Sequence, residues 1–198
     1  MRTTLIWLAV AAAIVVPLVI AADSPQLAWR DPIYIAAGFA GVLAMGLLLL
    51  QPLLAGGYLP GLVLRRARRW HAWVGTALVV LVAIHVVFLW ITSPPDVIDV
   101  LLFRSPTPFS AWGAIGMWAV FAAGMVAALR RKLHLRPPVW RLVHASLVSV
   151  VVVCSVVHAV QIEGTMGTVS KTVLCLLVAA AAVRVMVDLK PWALLTRR

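Results

Sequence analysis

Six long apolar runs constrain this chain more than any other feature of its sequence. Each is close to the roughly 20 residues with which an α-helix crosses the hydrocarbon core of a bilayer. Helices satisfy all their backbone hydrogen bonds internally in that environment. We therefore predict an all-α integral membrane protein, a single domain over residues 1–198 built as a six-helix bundle. The predicted spans are Leu5–Ala22, Pro32–Leu54, Trp70–Thr92, Phe109–Leu129, Val139–Ile162 and Val169–Val187.

Composition favours a membrane protein over a soluble one. Of the 198 residues, 64% are hydrophobic and 12% are charged, which is about half of the roughly 25% found in soluble domains. The loops are short, and the sequence contains no GxGxxG motif, P-loop or strand pattern. We therefore predict no FAD or NAD domain in this chain.

The charged residues alternate between the two sides of the predicted bundle. The net charge is +11, and positive charge is concentrated on the side where cytoplasmic loops are expected. Both termini are therefore predicted to be cytoplasmic, with anionic lipid rather than nucleic acid as the partner of the basic patches. The basic side has Arg2, Arg65, Arg66, Arg68, Arg69, Arg130, Arg131, Lys132, Arg136, Arg141, Lys190, Arg197 and Arg198. The opposite loops have Arg30, Arg104, Lys171, Asp23, Asp31, Asp96, Asp99 and Glu163.

The first span has a second interpretation. With one early arginine, an apolar stretch and Val19-x-Ala21 near its end, the segment 1–24 resembles a signal peptide. Its apolar run of about 18 residues is long for that role, since signal peptides have about 7–15, so we favour a retained helix.

Two other features have structural interpretations. Cys154 and Cys175 lie in the middle of spans and are predicted to be buried small apolar residues. The outer segment 96–103 combines two aspartates with six apolar residues and predicts a short helix at the membrane surface.

Four histidines lie within the spans, in two pairs of equal spacing. His71 and His85 are fourteen residues apart on span three, and His144 and His158 are fourteen apart on span five. Fourteen helical steps return a side chain to within roughly 40° of the same face, about 21 Å further along the axis. Because both spans follow basic loops, they run parallel, so His71 should face His144 and His85 should face His158.

Ionisable residues inside a bilayer are costly and usually functional, and imidazole is a good ligand for haem iron. We therefore predict two b-type haems, with His71 and His144 on the inner iron and His85 and His158 on the outer iron. Histidines that only pack, or a zinc or copper site, are the alternatives. Histidines about 21 Å apart on one helix cannot share one ion.

Neighbouring residues fit such cofactors. Gly75, four positions after His71, would leave room for a porphyrin, although small residues also favour helix packing. Arg68, Arg69 and Arg141 are candidate partners of the inner propionates, and Arg104 or Lys171 of the outer ones. Trp70, Trp73 and Trp140 are interpreted as interfacial anchors, and His134 as a solvated loop residue.

The two histidine spans read RRARRWHAWVGTALVVLVAIHVVFLW and RPPVWRLVHASLVSVVVVCSVVHAVQ. This pattern resembles the ferric reductase-like transmembrane domain of ferric reductases, NADPH oxidases and the bacterial MsrQ/YedZ-type haem proteins. The resemblance extends over roughly Tyr34 to Trp192, and the histidine spacing is its specific element. The complete quartet is closer to the two-haem reductases than to the MsrQ-type members.

The resemblance implies transmembrane electron transfer in a bacterial inner (plasma) membrane. The expected donor is a cytoplasmic flavin reductase or membrane quinol, with FMN or quinone brought by a partner, and the expected acceptor lies outside. A cytochrome b561-like, quinol-coupled protein is the alternative within the haem class. A cofactor-free transporter or assembly subunit is the alternative of another class, although the spans have no carboxylate in mid-membrane.

Overall fold

The structure is a computed structural model that describes residues 1–193, and it is all-helical over that range. Six of its helices are long and apolar enough to cross a membrane, which confirms the predicted spans. The helices are α1 (Arg2–Ala22), α2 (Pro32–Ala55), α3 (Leu64–Thr92), α4 (Pro94–Leu101), α5 (Pro108–Leu129), α6 (Pro137–Gln161) and α7 (Thr168–Leu189). Arg197 and Arg198, counted in the charge pattern, lie outside the described residues.

Local sequence signals set most helix starts. Proline stands in the first turn of α2, α4, α5 and α6, where its missing N–H costs nothing. Asp31 caps α2, because its Oδ1 accepts hydrogen bonds from the backbone N–H of Ile33 and Tyr34. The helix α4 confirms the predicted short helix after span three.

Helix α3 begins six residues before the predicted span. The arginines at 65, 66, 68 and 69, predicted in a loop, lie instead in its first turns. Hydropathy marks where apolar sequence begins, whereas arginine is itself a good helix former. The helix therefore extends beyond its apolar part and carries these charges on its exposed surface.

The bundle is built from two antiparallel helical hairpins. Helix α2 packs along α3, and α5 packs along α6, whereas α3 and α6 make almost no direct contact with each other. Helix α7 packs against α2 and α6, and α1 packs against α2 and α7. The two histidine-bearing helices therefore belong to different hairpins, and each packs mainly against its own hairpin partner.

The two ends of the bundle differ in charge. The basic end, defined by the α2–α3 and α5–α6 connections, carries the arginines from 65 to 69 and from 130 to 136. The acidic end carries Asp23, Asp31, Asp96, Asp99 and Glu163. The sixth carboxylate, Asp188, lies at the basic end, where it accepts hydrogen bonds from the Tyr58 hydroxyl and from Arg184 Nε.

Lys171 differs from its predicted position in an outer loop. It lies in the first turn of α7 and is only 8% exposed. Its Nζ donates hydrogen bonds to the carbonyl oxygens of Val160 (3.3 Å) and Ile162 at the end of α6. Carbonyls at a helix C-terminus attract cations, which explains how a lysine is buried here. Cys154 and Cys175 are both buried, as predicted.

Candidate functional site

The four span histidines meet in two pairs at matched depths. The ring centroids of His71 and His144 are 6.4 Å apart, with the ring planes at 80°. His85 and His158 border one cavity towards the acidic end. Helices α3 and α6 therefore run parallel, with His71 beside His144 and with His85 and His158 in the wall of the same cavity.

Three of the four rings are oriented by a backbone carbonyl on the neighbouring helix. Nδ1 of His85 lies 2.7 Å from Ala37 O, Nδ1 of His158 lies 2.8 Å from Phe109 O, and Nδ1 of His71 lies 3.1 Å from Gln51 O. A carbonyl oxygen only accepts, so each Nδ1 carries the proton. Nε2 then keeps its lone pair, which is the arrangement found in histidines that bind metals.

The fourth ring lacks such a partner. Nδ1 of His144 is buried and has no hydrogen-bond partner among the described residues. On α2, the two accepting residues Ala37 and Gln51 are fourteen positions apart, matching the spacing of the histidines. The equivalent position on α5, fourteen after Phe109, is Ala123, and no hydrogen bond forms there. Trp140 instead stacks on His144, with centroids 4.7 Å apart and planes at 26°.

Glycines lie directly under two of the rings. A Cβ added to Gly113 would be 2.8 Å from Cε1 and Nδ1 of His158, and one added to Gly41 would be 3.1 Å from Nδ1 of His85. Each glycine is four residues after the carbonyl that accepts the bond, so it occupies the next turn of the same helix face. The absence of a side chain lets each ring lie against its neighbouring helix.

The sequence alone does not single out Gly41 and Gly113, because their role depends on which helix packs beside which. The glycine predicted to matter, Gly75, faces the amide of Gln51, whose Nε2 would be 3.5 Å from an added Cβ. That contact is one between α2 and α3. Trp140 was interpreted as an interfacial anchor, although its position four residues before His144 was a signal of a ring contact.

The cavity next to His85 and His158 has a volume of about 910 Å³, within the range of roughly 300–1,000 Å³ typical of ligand pockets. Apolar residues such as Met45, Leu78 and Val120 line its depth. Lys171 and Glu163 lie where it approaches the acidic end. It is an apolar chamber with two imidazoles in its wall and charged groups near its rim.

The arginines predicted to bind the inner propionates lie at the basic end. Arg68 and Arg69 are exposed on α3, and Arg141 is exposed on the first turns of α6. Arg104 follows α4 and is exposed at the acidic end. Over the part of the chain that is described, the single ion pair joins Arg184 and Asp188, so these arginines have no carboxylate partner.

The residues present fit a haem better than a bare metal ion. Within residues 1–193, no group of three or more His, Cys, Asp or Glu residues could hold a metal. A histidine pair needs a group that supplies the remaining ligands, which a porphyrin does. Two imidazoles that share one ion, with nitrogens about 2 Å from it, have ring centroids about 6 Å apart, close to the 6.4 Å between His71 and His144.

Comparison with known proteins identifies the class. The ferric reductase like transmembrane component family matches residues 37–156, which include His71, His85 and His144 and end just before His158. The chain belongs to this family, and it is a multi-pass integral membrane protein of a kind that serves in transmembrane electron transfer. No curated protein and no solved structure matched significantly.

Proposed function

We propose that this protein is a di-haem b electron conduit that passes electrons across the membrane. His71 and His144 would hold one haem near the basic end, and His85 and His158 would hold the other near the acidic end. The observation that carries the proposal is the set of three Nδ1–H···O=C hydrogen bonds, which leave Nε2 of His71, His85 and His158 available as ligands.

A bound haem would supply reversible one-electron redox chemistry, and ligation by two histidines would favour electron transfer over the binding of other ligands. The chain supplies position and surroundings. Carbonyls of Ala37 and Phe109 orient the imidazoles, and Gly41 and Gly113 leave them space. The mostly apolar lining of the cavity gives the His85–His158 site surroundings of low polarity.

Orientation follows from charge. The basic end, rich in arginine, is proposed to be cytoplasmic, together with both termini, by the positive-inside rule. Electrons would then enter at the His71–His144 pair from a cytoplasmic flavin reductase or a membrane quinol and leave at the His85–His158 pair to an extracytoplasmic acceptor. The exposed Arg68, Arg69 and Arg141 would contact acidic groups at the first site, and Lys171 would do so at the second.

The first experiment is a reduced-minus-oxidised absorption spectrum of the detergent-purified protein with haem and protein both quantified. Two low-spin b haems per chain are expected. His71→Ala should remove the His71–His144 haem and leave the signal of the other haem. His85→Ala should remove the His85–His158 haem and leave the signal of the first. The matched control is His134→Ala, which removes an exposed histidine of the α5–α6 connection and should leave both haems. A purified protein without haem, after expression with adequate haem supply, would overturn the proposal.

A further inference from the structure

We infer that Trp140 orients the His144 imidazole, taking the place of the backbone carbonyl that orients each of the other three histidines. Trp140 is thus a positioning residue for one ligand of one site. The inference rests on the proposed function, because it gives the orientation of His144 a consequence at a haem.

The need for such a residue follows from the buried nitrogen of His144. Its Nδ1 is inaccessible to solvent and unpaired among the residues described, whereas the Nδ1 atoms of His71, His85 and His158 each have a carbonyl 2.7–3.1 Å away. Without that bond nothing on the neighbouring helix α5 fixes the rotation of the His144 ring. A ligand ring that rotates freely loses the geometry that supports binding.

Trp140 supplies the missing restraint through contact of its ring face. Residues four apart on a helix are neighbours, and the two rings lie 4.7 Å apart with planes at 26°. Stacking restrains the plane of the imidazole through its ring face and forms no hydrogen bond to Nδ1. The ring is held without occupying the atom that binds iron.

Arg130 extends the stack at the surface. Its guanidinium carbon lies 5.7 Å from the centroid of the Trp140 ring, which is within the range of a cation–π contact. The series Arg130, Trp140, His144 therefore runs from the charged connection between α5 and α6 into the site. Arg130 restrains Trp140, and Trp140 restrains His144.

Trp73 shows what a tryptophan at this end looks like without such a role. It lies two residues after His71 on the equivalent helix, and it is 67% exposed. Its ring is in none of the ring contacts of the described part of the chain. Trp140 is half-buried, so an interfacial position alone does not account for its contact with His144.

The test compares Trp140→Leu, Trp140→Phe and the control Trp73→Leu in the purified full chain. Haem content and the electron paramagnetic resonance spectrum are measured, because the g values of low-spin ferric haem depend on the orientation of the axial rings. His71→Ala and His85→Ala assign the two signals. Trp140→Leu should shift or broaden the His71–His144 signal and reduce that haem several-fold. Trp140→Phe should cause a smaller shift, and Trp73→Leu none.

The inference is overturned if Trp140→Leu keeps both signals and full haem content, or if Trp73→Leu changes the His71–His144 signal as much. A wild-type protein without haem would instead refute the proposed function. If Trp140→Leu loses both haem signals, the spectrum of Trp140→Phe tests the inference instead. A change confined to the His71–His144 signal supports the stacking role, and a change in both signals or in neither overturns it.

Discussion

The two histidine pairs have the same spacing on the same two helices, yet they are held differently. At the acidic end, both rings donate to a carbonyl, both lie over a glycine, and both border a large cavity. At the basic end, one ring donates to a carbonyl, the other is stacked by a tryptophan, and the rings are 6.4 Å apart. Helical spacing decides where the imidazoles lie, and the neighbouring helix decides how each is oriented.

The largest expected effect comes from Gly113→Ala, which tests the support of the acidic-end pair. The added Cβ would lie 2.8 Å from the His158 ring, and overpacking of this kind typically costs about 1–3 kcal/mol. We expect His158 to be displaced and the His85–His158 haem to be lost, leaving about half of the haem measured by absorption. Gly38→Ala is the control, because nothing lies within 4 Å of its added Cβ. Full haem content in Gly113→Ala would contradict the claim that the acidic-end pair depends on the space left by this glycine.

A smaller effect is expected from Gly41→Ala, because its Cβ would lie 3.1 Å from Nδ1 of His85, a tight contact rather than an overlap. The His85 ring should shift by a few tenths of an ångström. We expect both haems to remain, with the signal of the acidic-end pair shifted in the electron paramagnetic resonance spectrum. If Gly41→Ala lost as much haem as Gly113→Ala, the distance from the added Cβ to the histidine ring would not determine the size of the effect.

Lys171→Met tests the electrostatic difference between the ends. A buried cation near a redox site stabilises the reduced, more negative form, and one partly buried charge contributes on the order of 1 kcal/mol. That corresponds to about 40 mV for a one-electron couple. Redox titration should show the midpoint potential of the His85–His158 haem falling, with the other haem unchanged. Lys190→Met, an exposed lysine at the opposite end of α7, is the control. Equal shifts of both haems in Lys171→Met would contradict a local effect.

The smallest effect is expected from Tyr58→Phe, which removes the hydrogen bond to Asp188 at the basic end. Such a bond near the surface contributes about 1 kcal/mol, so the apparent Tm in detergent should fall by about 2–4 °C. Burial, followed by the hydrogen-bonded Asp188 carboxylate, raises the pKa of Tyr58 above its ordinary 10.0. The bond is therefore present below pH 10 and is lost as pH rises through the raised pKa.

The stability difference between wild type and Tyr58→Phe should accordingly be constant at neutral pH and shrink in strong alkali. Tyr34→Phe is the matched control, because phenylalanine keeps the ring over which Arg30 lies at the acidic end. A Tm change in Tyr34→Phe equal to that in Tyr58→Phe would show that the effect is not specific to the basic end.

Most of the fold could be predicted from the sequence, because hydropathy and length alone decide where a chain can cross a bilayer. The pairing of His71 with His144 and of His85 with His158 was predictable for a similar reason. Fourteen residues is close to a whole number of helical turns, and the charge pattern set the direction of each span. These inferences need only properties that lie along one helix.

What could not be predicted depends on contacts between helices. The carbonyls of Ala37 and Phe109 are ordinary backbone groups, and Gly41 and Gly113 look like any glycine in an apolar span until the packing is known. The burial of Lys171 likewise depends on the end of α6 lying beside the start of α7. Trp140 was the exception, since its distance along the helix from His144 was visible in the sequence.

The register of the two hairpins also bears on ancestry. His85 and His158 are 73 positions apart, as are His71 and His144, and Gly41 and Gly113 are 72 apart. Each hairpin thus has two histidines, an accepting carbonyl and a glycine, and the two hairpins cross the bundle in the same direction. This is the arrangement of repeats related by an axis along the membrane normal. Such a repeat is what duplication of a single hairpin produces. Two copies of one ancestral hairpin, meeting as a homodimer, would already have formed both histidine pairs.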